Sequence, residues 1–376
     1  MKVVITGAGG LIGWHAATRL HAVNCTARFK GDPVPHDIVP LDHAAFADDL
    51  RLQAAVVGAN AVLHFAGVNR ASDADVETGN PDIARRLVAA CGAAGAAPHI
   101  VYANSTHAVS DTPYGRSKRI AGEILAAANT RYTEVVLPHI FGECARPRYN
   151  NVTATLIEAV IAGDAPTINP EGVVSLLHAG AAAQVMIDAA THPTFGTIRP
   201  PARDTRVIDL YDLLQKFHSD YRANILPNLR DAFNLTLFNS YRAALYPAGF
   251  GAPLKLNTDS RGALFEAVKG GGGGQVFLST SKPGITRGDH FHLHKVERFL
   301  VLQGDAIIRI RKVLADKVWE YRVSGNAPTA IDMPTLHTHS IENIGSEPLL
   351  TLFWTHDLFD PTAPDTYFDP VLRAKP

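Results

Sequence analysis

The sequence predicts a parallel α/β sheet with helices on both faces, followed by a separate all-β domain. Three observations carry this. Residues 1–150 alternate short apolar runs (3–6, 25–29, 37–41, 61–67, 99–105, 135–142) with Ala-rich helical stretches such as 82–96 and 116–129. Strands alternating with helices close into a doubly wound parallel sheet. After residues 246–258, which are rich in Pro and Gly, the chain becomes a series of short alternating strands separated by turns, with no long helix. That second pattern belongs to a jelly-roll sandwich or barrel. A chain of 376 residues also exceeds one ordinary core, so two domains are expected.

Each element follows in order. Residues 3–6 read as a buried strand, and 11–22 as the helix after a glycine turn. Residues 25–29 read as the second strand and 37–41 as the third. Residues 151–245 are less regular, with helical patterns at 152–164 and 207–221, and read as a substrate lobe spanning about 145–250. The expected domains are therefore 1–250 and 251–376.

Bulk properties exclude several functions. The net charge is −1 and no basic tract or acidic tail stands out, so neither nucleic acid nor an anionic membrane is an expected partner. The three cysteines, Cys25, Cys91 and Cys144, form no CxxC pair, which fits a reducing compartment without disulfides. The chain begins directly with a strand and a glycine turn, and no apolar run reaches the length of a membrane span. A cytoplasmic protein is expected.

The first chemical motif is Gly7-x-x-Gly10-Leu11-Ile12-Gly13, directly after the first apolar strand. The first glycine permits a tight turn. The second lets a pyrophosphate approach the backbone, the third lets helix and sheet come close, and the helix N-terminus favours the anion. This is a Rossmann-type dinucleotide site. Arg28 and Lys30, read as the end of the second strand, suit the extra phosphate of NADP(H). Asp42, after the next strand, is placed for the adenine edge. Phe65, Ala66 and Gly67 end the following apolar run, where small residues let a cofactor lie close.

The decisive pattern is Tyr114-Gly115-Arg116-Ser117-Lys118. On a helix, Tyr114 and Lys118 share a face. A phenol with an ordinary pKa near 10 is a poor acid–base at neutrality, and a neighbouring ammonium moves it usefully. Ser105 follows the preceding strand and can hydrogen-bond the substrate oxygen, with Thr106 as the near competitor. Residues 1–245 resemble an extended short-chain dehydrogenase/reductase of the nucleotide-sugar-modifying kind. The resemblance makes Tyr114 the proton donor, Lys118 its partner and Ser105 the third member. The segment His178-Ala179-Gly180 departs from the V-D-D type of sequence usual there.

The second half carries Gly284-x5-His290-x-His292-x4-Glu297-x6-Gly304, then Pro334-x-Leu336-x2-His339-x3-Asn343. On a strand, His290 and His292 point to one face, and Glu297 begins the next strand. Three imidazoles and a carboxylate suit a divalent metal, zinc first. His337 lies on the same strand face as His339, so the fourth ligand could be either. These runs resemble the two cupin motifs, with Leu336 where a glycine is usual. The run from Asp259 to Glu266, which includes Arg261, resembles the start of cupin-type 3,5-epimerases. Lys282 is a candidate base.

Both halves together resemble the bifunctional capsule-sugar enzymes of the CapF type. The resemblance is carried by Phe65 to Arg70, Pro113 to Gly115, Arg146 to Asn150, Lys282 to Thr286, Phe359 to Pro361 and Pro364 to Phe368. It implies a UDP-linked 4-keto-2-acetamido-2,6-dideoxyhexose as substrate, C3 epimerisation in the cupin and NADPH reduction of C4. Arg70 and Asn150 are expected at the substrate (Asn151 is the alternative to Asn150), and a homodimer is expected. The chemistry requires epimerisation first, because C3 carries an acidic proton only while C4 is a ketone. The competing expectation is a ketoreductase whose cupin only dimerises.

Overall fold

The computed structural model describes residues 1–128, 131–248, 250–260 and 262–373. The chain divides into two compact units, 1–155 with 167–210, and 156–166 with 211–376. The first unit contains β1 (Lys2–Thr6), α1 (Leu11–Lys30), β2 (Asp37–Leu41), α2 (His43–Ala47), α3 (Asp49–Val56), β3 (Ala61–His64), α4 (Asp73–Ala93), β4 (His99–Ser105), α5 (Pro113–Ala128) and β5 (Tyr132–Leu137). It continues with β6 (His139–Phe141), the start of α6 (Val152–Ala162), β7 (Val173–His178), α7 (Ala179–Thr191), β8 (Gly196–Ile198) and β9 (Arg203–Arg206).

Six strands form a parallel sheet in the order β2-β1-β3-β4-β5-β8. One core, built on Ile5, Leu63, Val101 and Val135, lies between one face and helices α1 and α7. The other, built on Val4, Val62, Ile100 and Tyr102, lies under α3, α4 and α5. Both faces are covered, which explains the continuous apolar runs of β1, β3 and β4. Thr6, Leu41 and His64 end their strands in register, so the following loops meet along one edge, where ligands bind in open α/β sheets.

The second unit contains α8 (Val207–Arg222) from Tyr211 onward, β10 (Ile225–Leu226), α9 (Ala232–Leu245), β11 (Ala252–Pro253), β12 (Asn257–Asp259), β13 (Gly262–Leu264), β14 (Lys269–Gly270), β15 (Gln275–Ser281) and β16 (Thr286–Phe291). It ends with β17 (Glu297–Gln303), β18 (Asp305–Lys312), β19 (Val318–Ser324), β20 (Thr329–Met333), β21 (His337–Asn343), β22 (Leu349–Thr355) and β23 (Tyr367–Phe368). Two five-stranded antiparallel sheets, β11-β20-β17-β22-β15 and β19-β18-β21-β16-β23, enclose one core containing Phe299, Ile308, Ile310, Ile331, Ile341 and Phe353. The α/β sheet and the all-β sandwich are the fold class expected from sequence.

Two sequence expectations change here. Residues 25–29 are the end of α1, not a strand, because the helix runs unbroken to Lys30 and stops at Gly31 in the left-handed conformation (φ 76°). The second strand is therefore residues 37–41. The boundary expected near 250 falls inside the second unit, because α8 and α9 bond to the β-sandwich. Tyr221 donates to Asp332 (2.6 Å), Asn239 to the His294 carbonyl (2.9 Å) and the buried Arg242 to the Met333 carbonyl (3.1 Å). Such buried polar groups are stable only where partners meet them.

Candidate functional sites

The glycine turn is as tight as the motif requires. Gly7 has φ 68°, and a Cβ there would stand 2.8 Å from the Ala66 nitrogen. A Cβ on Gly13 would stand 2.3 Å from the Gly7 carbonyl oxygen, so only glycine lets α1 start against the loop. Gly10 precedes the first residues of α1, Leu11 and Ile12, as its N-cap, without a side-chain cap. The first-turn N–H groups thus face the cradle, as a phosphate site needs. The Ala66 N–H donates to Thr6 Oγ1 (3.2 Å), which also bonds His64 Nδ1 (2.7 Å), and this holds Phe65 to Gly67 against the cradle. Burial and the Lys118 charge push His64 down to about 3, so it is neutral.

Tyr114 and Lys118 stand one turn apart near the start of α5. Gly115 makes that start possible, since a Cβ would lie 2.4 Å from the His107 carbonyl oxygen. Burial raises the Tyr114 phenol, and the nearby Ser105 hydroxyl opposes the rise. Lys118 is buried, donates to the Ala103 carbonyl (2.7 Å) and lies over the Tyr102 ring, 4.2 Å from its centroid. Burial pushes Lys118 down to about 7, with Glu134 opposing. Ser105, Tyr114 and Lys118 therefore occupy one neighbourhood, with Tyr114 protonated at neutral pH.

The loops carrying Arg70 and Asn150 also meet. Arg70 donates to the Arg148 carbonyl, and Asn150 donates to the Asn69 carbonyl (2.6 Å). Arg148 and Asn150 both have positive φ (57° and 50°), which marks a shaped loop. Asn151 is spent on structure, donating to the Ile140 carbonyl and accepting from the Ala154 N–H. Asn80, unremarkable in sequence, exchanges hydrogen bonds with both backbone groups of Val68 and donates to Ser117 (2.9 Å). It ties the Phe65–Arg70 loop to α5.

Sequence reasoning also missed a buried cluster of His15, Glu143 and His178. His178 Nδ1 accepts the Gly180 N–H (3.2 Å), and its Nε2 lies 2.7 Å from Glu143 Oε2. His15 Nε2 lies 3.3 Å from the Glu143 carbonyl oxygen. This explains why His178-Ala179-Gly180 departs from the usual acidic segment. A Cβ on Gly180 would stand 2.4 Å from the Arg19 guanidinium, and one on Gly142 would stand 2.9 Å from Ala179 Cβ.

In the second unit His290, His292, Glu297 and His339 converge, with one ligand atom from each lying within 4.8 Å of the others. His290 and His339 are register partners across β16 and β21. His292 Nδ1 bonds the Asp365 carbonyl (2.5 Å) and His339 Nδ1 the His337 carbonyl (3.2 Å), which fixes the proton of each on Nδ1. Their Nε2 lone pairs then face Glu297 Oε2 at 3.1 and 3.2 Å. Burial pushes His290 down to about 3, with His339 and His292 adding to it, and burial also lowers His339. Imidazole lone pairs aimed at a carboxylate are balanced by a cation between them, so the donor set fits a divalent metal.

His337 is not in that group. Its Nδ1 bonds the Thr335 carbonyl (2.8 Å) and its ring packs edge-on against Tyr246. Leu336 takes the left-handed conformation (φ 61°) that the usual glycine would adopt, so the turn survives the substitution.

Three expected residues are not brought to their sites. Arg28 and Lys30 lie in the last turn of the 20-residue α1, roughly 30 Å along the helix from the glycine cradle. They do not reach the dinucleotide edge. Lys282 is exposed in the turn before β16, and Thr286 to His290 alone spans about 13 Å of strand. Asp42 follows β2, the second strand rather than the third, where it caps α2. Arg261 lies outside the described residues.

Comparison with known proteins bears on the family. Residues 3–199 match the NAD dependent epimerase/dehydratase family, and residues 257–367 match the polysaccharide biosynthesis C-terminal domain. The solved structure of the capsular polysaccharide assembling protein CapF from Staphylococcus aureus is 30% identical, covering 99% of this chain and 100% of that one (TM-score 0.58). The chain belongs to the NAD dependent epimerase/dehydratase family and is of the CapF type. A CapF structure with the inhibitor 3-isopropenyl-tropolone is 29% identical over 99% of this chain and 100% of that one (TM-score 0.55). UDP-2-acetamido-2,6-beta-L-arabino-hexul-4-ose reductase of Pseudomonas aeruginosa is 27% identical over 98% of both chains. A CapF-type chain is an enzyme of the nucleotide-sugar reductase and epimerase class. Among the described residues no helix is long and apolar enough to cross a membrane.

Proposed function

We propose that this enzyme inverts C3 of a UDP-linked 4-keto-2-acetamido-2,6-dideoxyhexose in its β unit and then reduces C4 in its α/β unit. The product is a UDP-N-acetyl-6-deoxy-L-talosamine, a precursor of N-acetyl-L-fucosamine for capsule or O-antigen. The observation that carries the reductase is Tyr114, its phenol influenced by the Ser105 hydroxyl and one turn from Lys118 on the same helix. The full-length likeness to a hexul-4-ose reductase supports the substrate class.

The Gly7–Gly13 cradle would hold a nicotinamide dinucleotide, which when bound would be the hydride source for the reduction. Ser105 hydrogen-bonds the ketone oxygen, and Tyr114 gives its proton to that oxygen as charge develops. The Lys118 ammonium favours the phenolate left behind. Arg70 and Asn150 are assigned to the sugar nucleotide. In the β unit His290, His292, Glu297 and His339 would hold a divalent cation, zinc first, which would supply charge stabilisation or structural order. Pairing of two copies is supported by β15, an edge strand with Val276 and Leu278 57% and 59% exposed.

The test is turnover with NAD(P)H and the 4-keto sugar nucleotide in D2O, with Tyr114→Phe alongside. Reduction with deuterium at C3 in the wild type, and deuterium exchange without reduction in the variant, is the expected result. Reduction without deuterium would mean a ketoreductase with a dimerising β unit. No turnover would overturn the substrate assignment.

A further inference from the structure

We infer that Asp42 makes this chain select NAD(H) over NADP(H). The inference rests on the reading of Gly7–Gly13 as a dinucleotide cradle and names the form of the cofactor held there. β2 pairs with β1 in register from Lys2–Asp37 to Thr6–Leu41, so both strands end together. The Ala8 N–H, inside the glycine loop, donates to the Leu41 carbonyl (3.1 Å). Asp42 is therefore the first residue past the second strand, fastened beside the loop. In this architecture that position faces the adenosine ribose, where a carboxylate accepts from the 2′-hydroxyl and a cation is needed for a 2′-phosphate.

The Asp42 side chain is exposed and shaped for the first task. Its Oδ1 accepts the Ala45 N–H (2.7 Å), which fixes the rotamer. Among the described residues no other hydrogen bond holds the carboxylate, so Oδ2 is left for a ligand hydroxyl. The surrounding charge agrees. Residues 42–50 contain Asp42, Asp48 and Asp49 and no Lys or Arg, with His43 the one basic side chain. A phosphate of nearly two negative charges beside a fixed carboxylate is disfavoured roughly tenfold or more even in an exposed setting. The two cations that would have suited it, Arg28 and Lys30, are at the far end of α1.

The experiment is calorimetric titration of the full-length protein, without sugar nucleotide, with NADH and with NADPH. Wild type should bind NADH at least about tenfold more tightly. Asp42→Asn keeps an oxygen for the Ala45 N–H and so keeps the helix cap, but removes the charge. It should bring the two affinities within about threefold of each other by strengthening NADPH. Asp42→Arg should invert the preference. Tighter NADPH binding by wild type, or an unchanged ratio in Asp42→Asn with the fold intact by circular dichroism, would overturn the inference while leaving the cradle assigned. Binding of neither nucleotide would remove the cradle reading and the inference with it.

Discussion

In the α/β unit His15 and His178 flank Glu143, and in the β unit His290, His292 and His339 surround Glu297. Both clusters are buried and both use imidazole and carboxylate. The difference lies in which ring nitrogen the neighbouring backbone engages. At His178 a backbone N–H takes the Nδ1 lone pair, so the proton sits on Nε2 and is donated to Glu143. At His292 and His339 backbone carbonyls take the Nδ1 proton, and the Nε2 lone pairs point inward. The first cluster closes as a hydrogen-bonded pair and needs no ion. The second leaves its charge balance open. Residue types alone, therefore, do not make a metal site; the backbone partner of each imidazole decides it.

The sharpest way to break this comparison is to count metal. His290→Ala with His292→Ala should reduce bound divalent metal from about one per chain to none, an affinity loss of at least about 100-fold. His15→Ala with His178→Ala should leave the count unchanged. Plasma mass spectrometry of dialysed protein reads both. Metal lost from the second variant, or retained by the first, would reverse the assignment.

Next in size is the stability of the closed cluster. Burial alone would raise the Glu143 carboxyl, but the charge and hydrogen bond of His178 and the charge of His15 outweigh it and hold it below the ordinary range. Glu143→Ala strands a buried imidazole donor and should cost about 3–5 kcal/mol. Glu143→Gln keeps an acceptor oxygen and should cost roughly 1 kcal/mol. Denaturant unfolding followed by Trp14, which packs edge-on against His15 at 5.2 Å, reports on this unit. Equal losses in the two variants would mean that the hydrogen bond to His178 contributes little.

The same contrast explains what the sequence revealed and what it hid. The glycine cradle, the Tyr114–Lys118 pair and the His290-x-His292 spacing were legible because each depends on local periodicity, a turn, a helix face or a strand face. The His15–Glu143–His178 cluster was not, since its members come from α1, the loop after β6 and the end of β7, up to 163 residues apart. Asn80 escaped for the same reason: it lies mid-helix and acts on a loop and on α5. Arg28 and Lys30 were misplaced because residues 25–29 are as apolar as a strand. Periodicity cannot separate a short buried strand from the end of a long helix. The left-handed Leu336 shows the reverse case, a motif position whose geometry outlived its usual glycine.

The smallest expected effect is one of pH, and it separates the units again. Burial pushes His15 down to about 3 against an ordinary 6.5. Between those values the unfolded chain takes up a proton that the folded chain refuses, so stability falls as pH drops from about 6.5 towards 3. Glu143 acts in the same direction, because its folded carboxyl titrates below the ordinary 4.5 and its contribution is lost progressively as pH falls from that value towards the folded one. The α/β unit should therefore lose stability on acidification whether or not divalent metal is present. In the β unit protons compete with metal for the Nε2 lone pairs, so added metal should move the acid transition to lower pH. Trp14 lies in the first unit, and Trp319 and Trp354 lie in the second. Single-tryptophan variants titrated from pH 7 to 3, with and without excess zinc, would resolve the two transitions. A zinc-dependent shift confined to the Trp319 and Trp354 signals is the expected outcome. A shift in the Trp14 signal would place an ion in the closed cluster and remove the distinction between them.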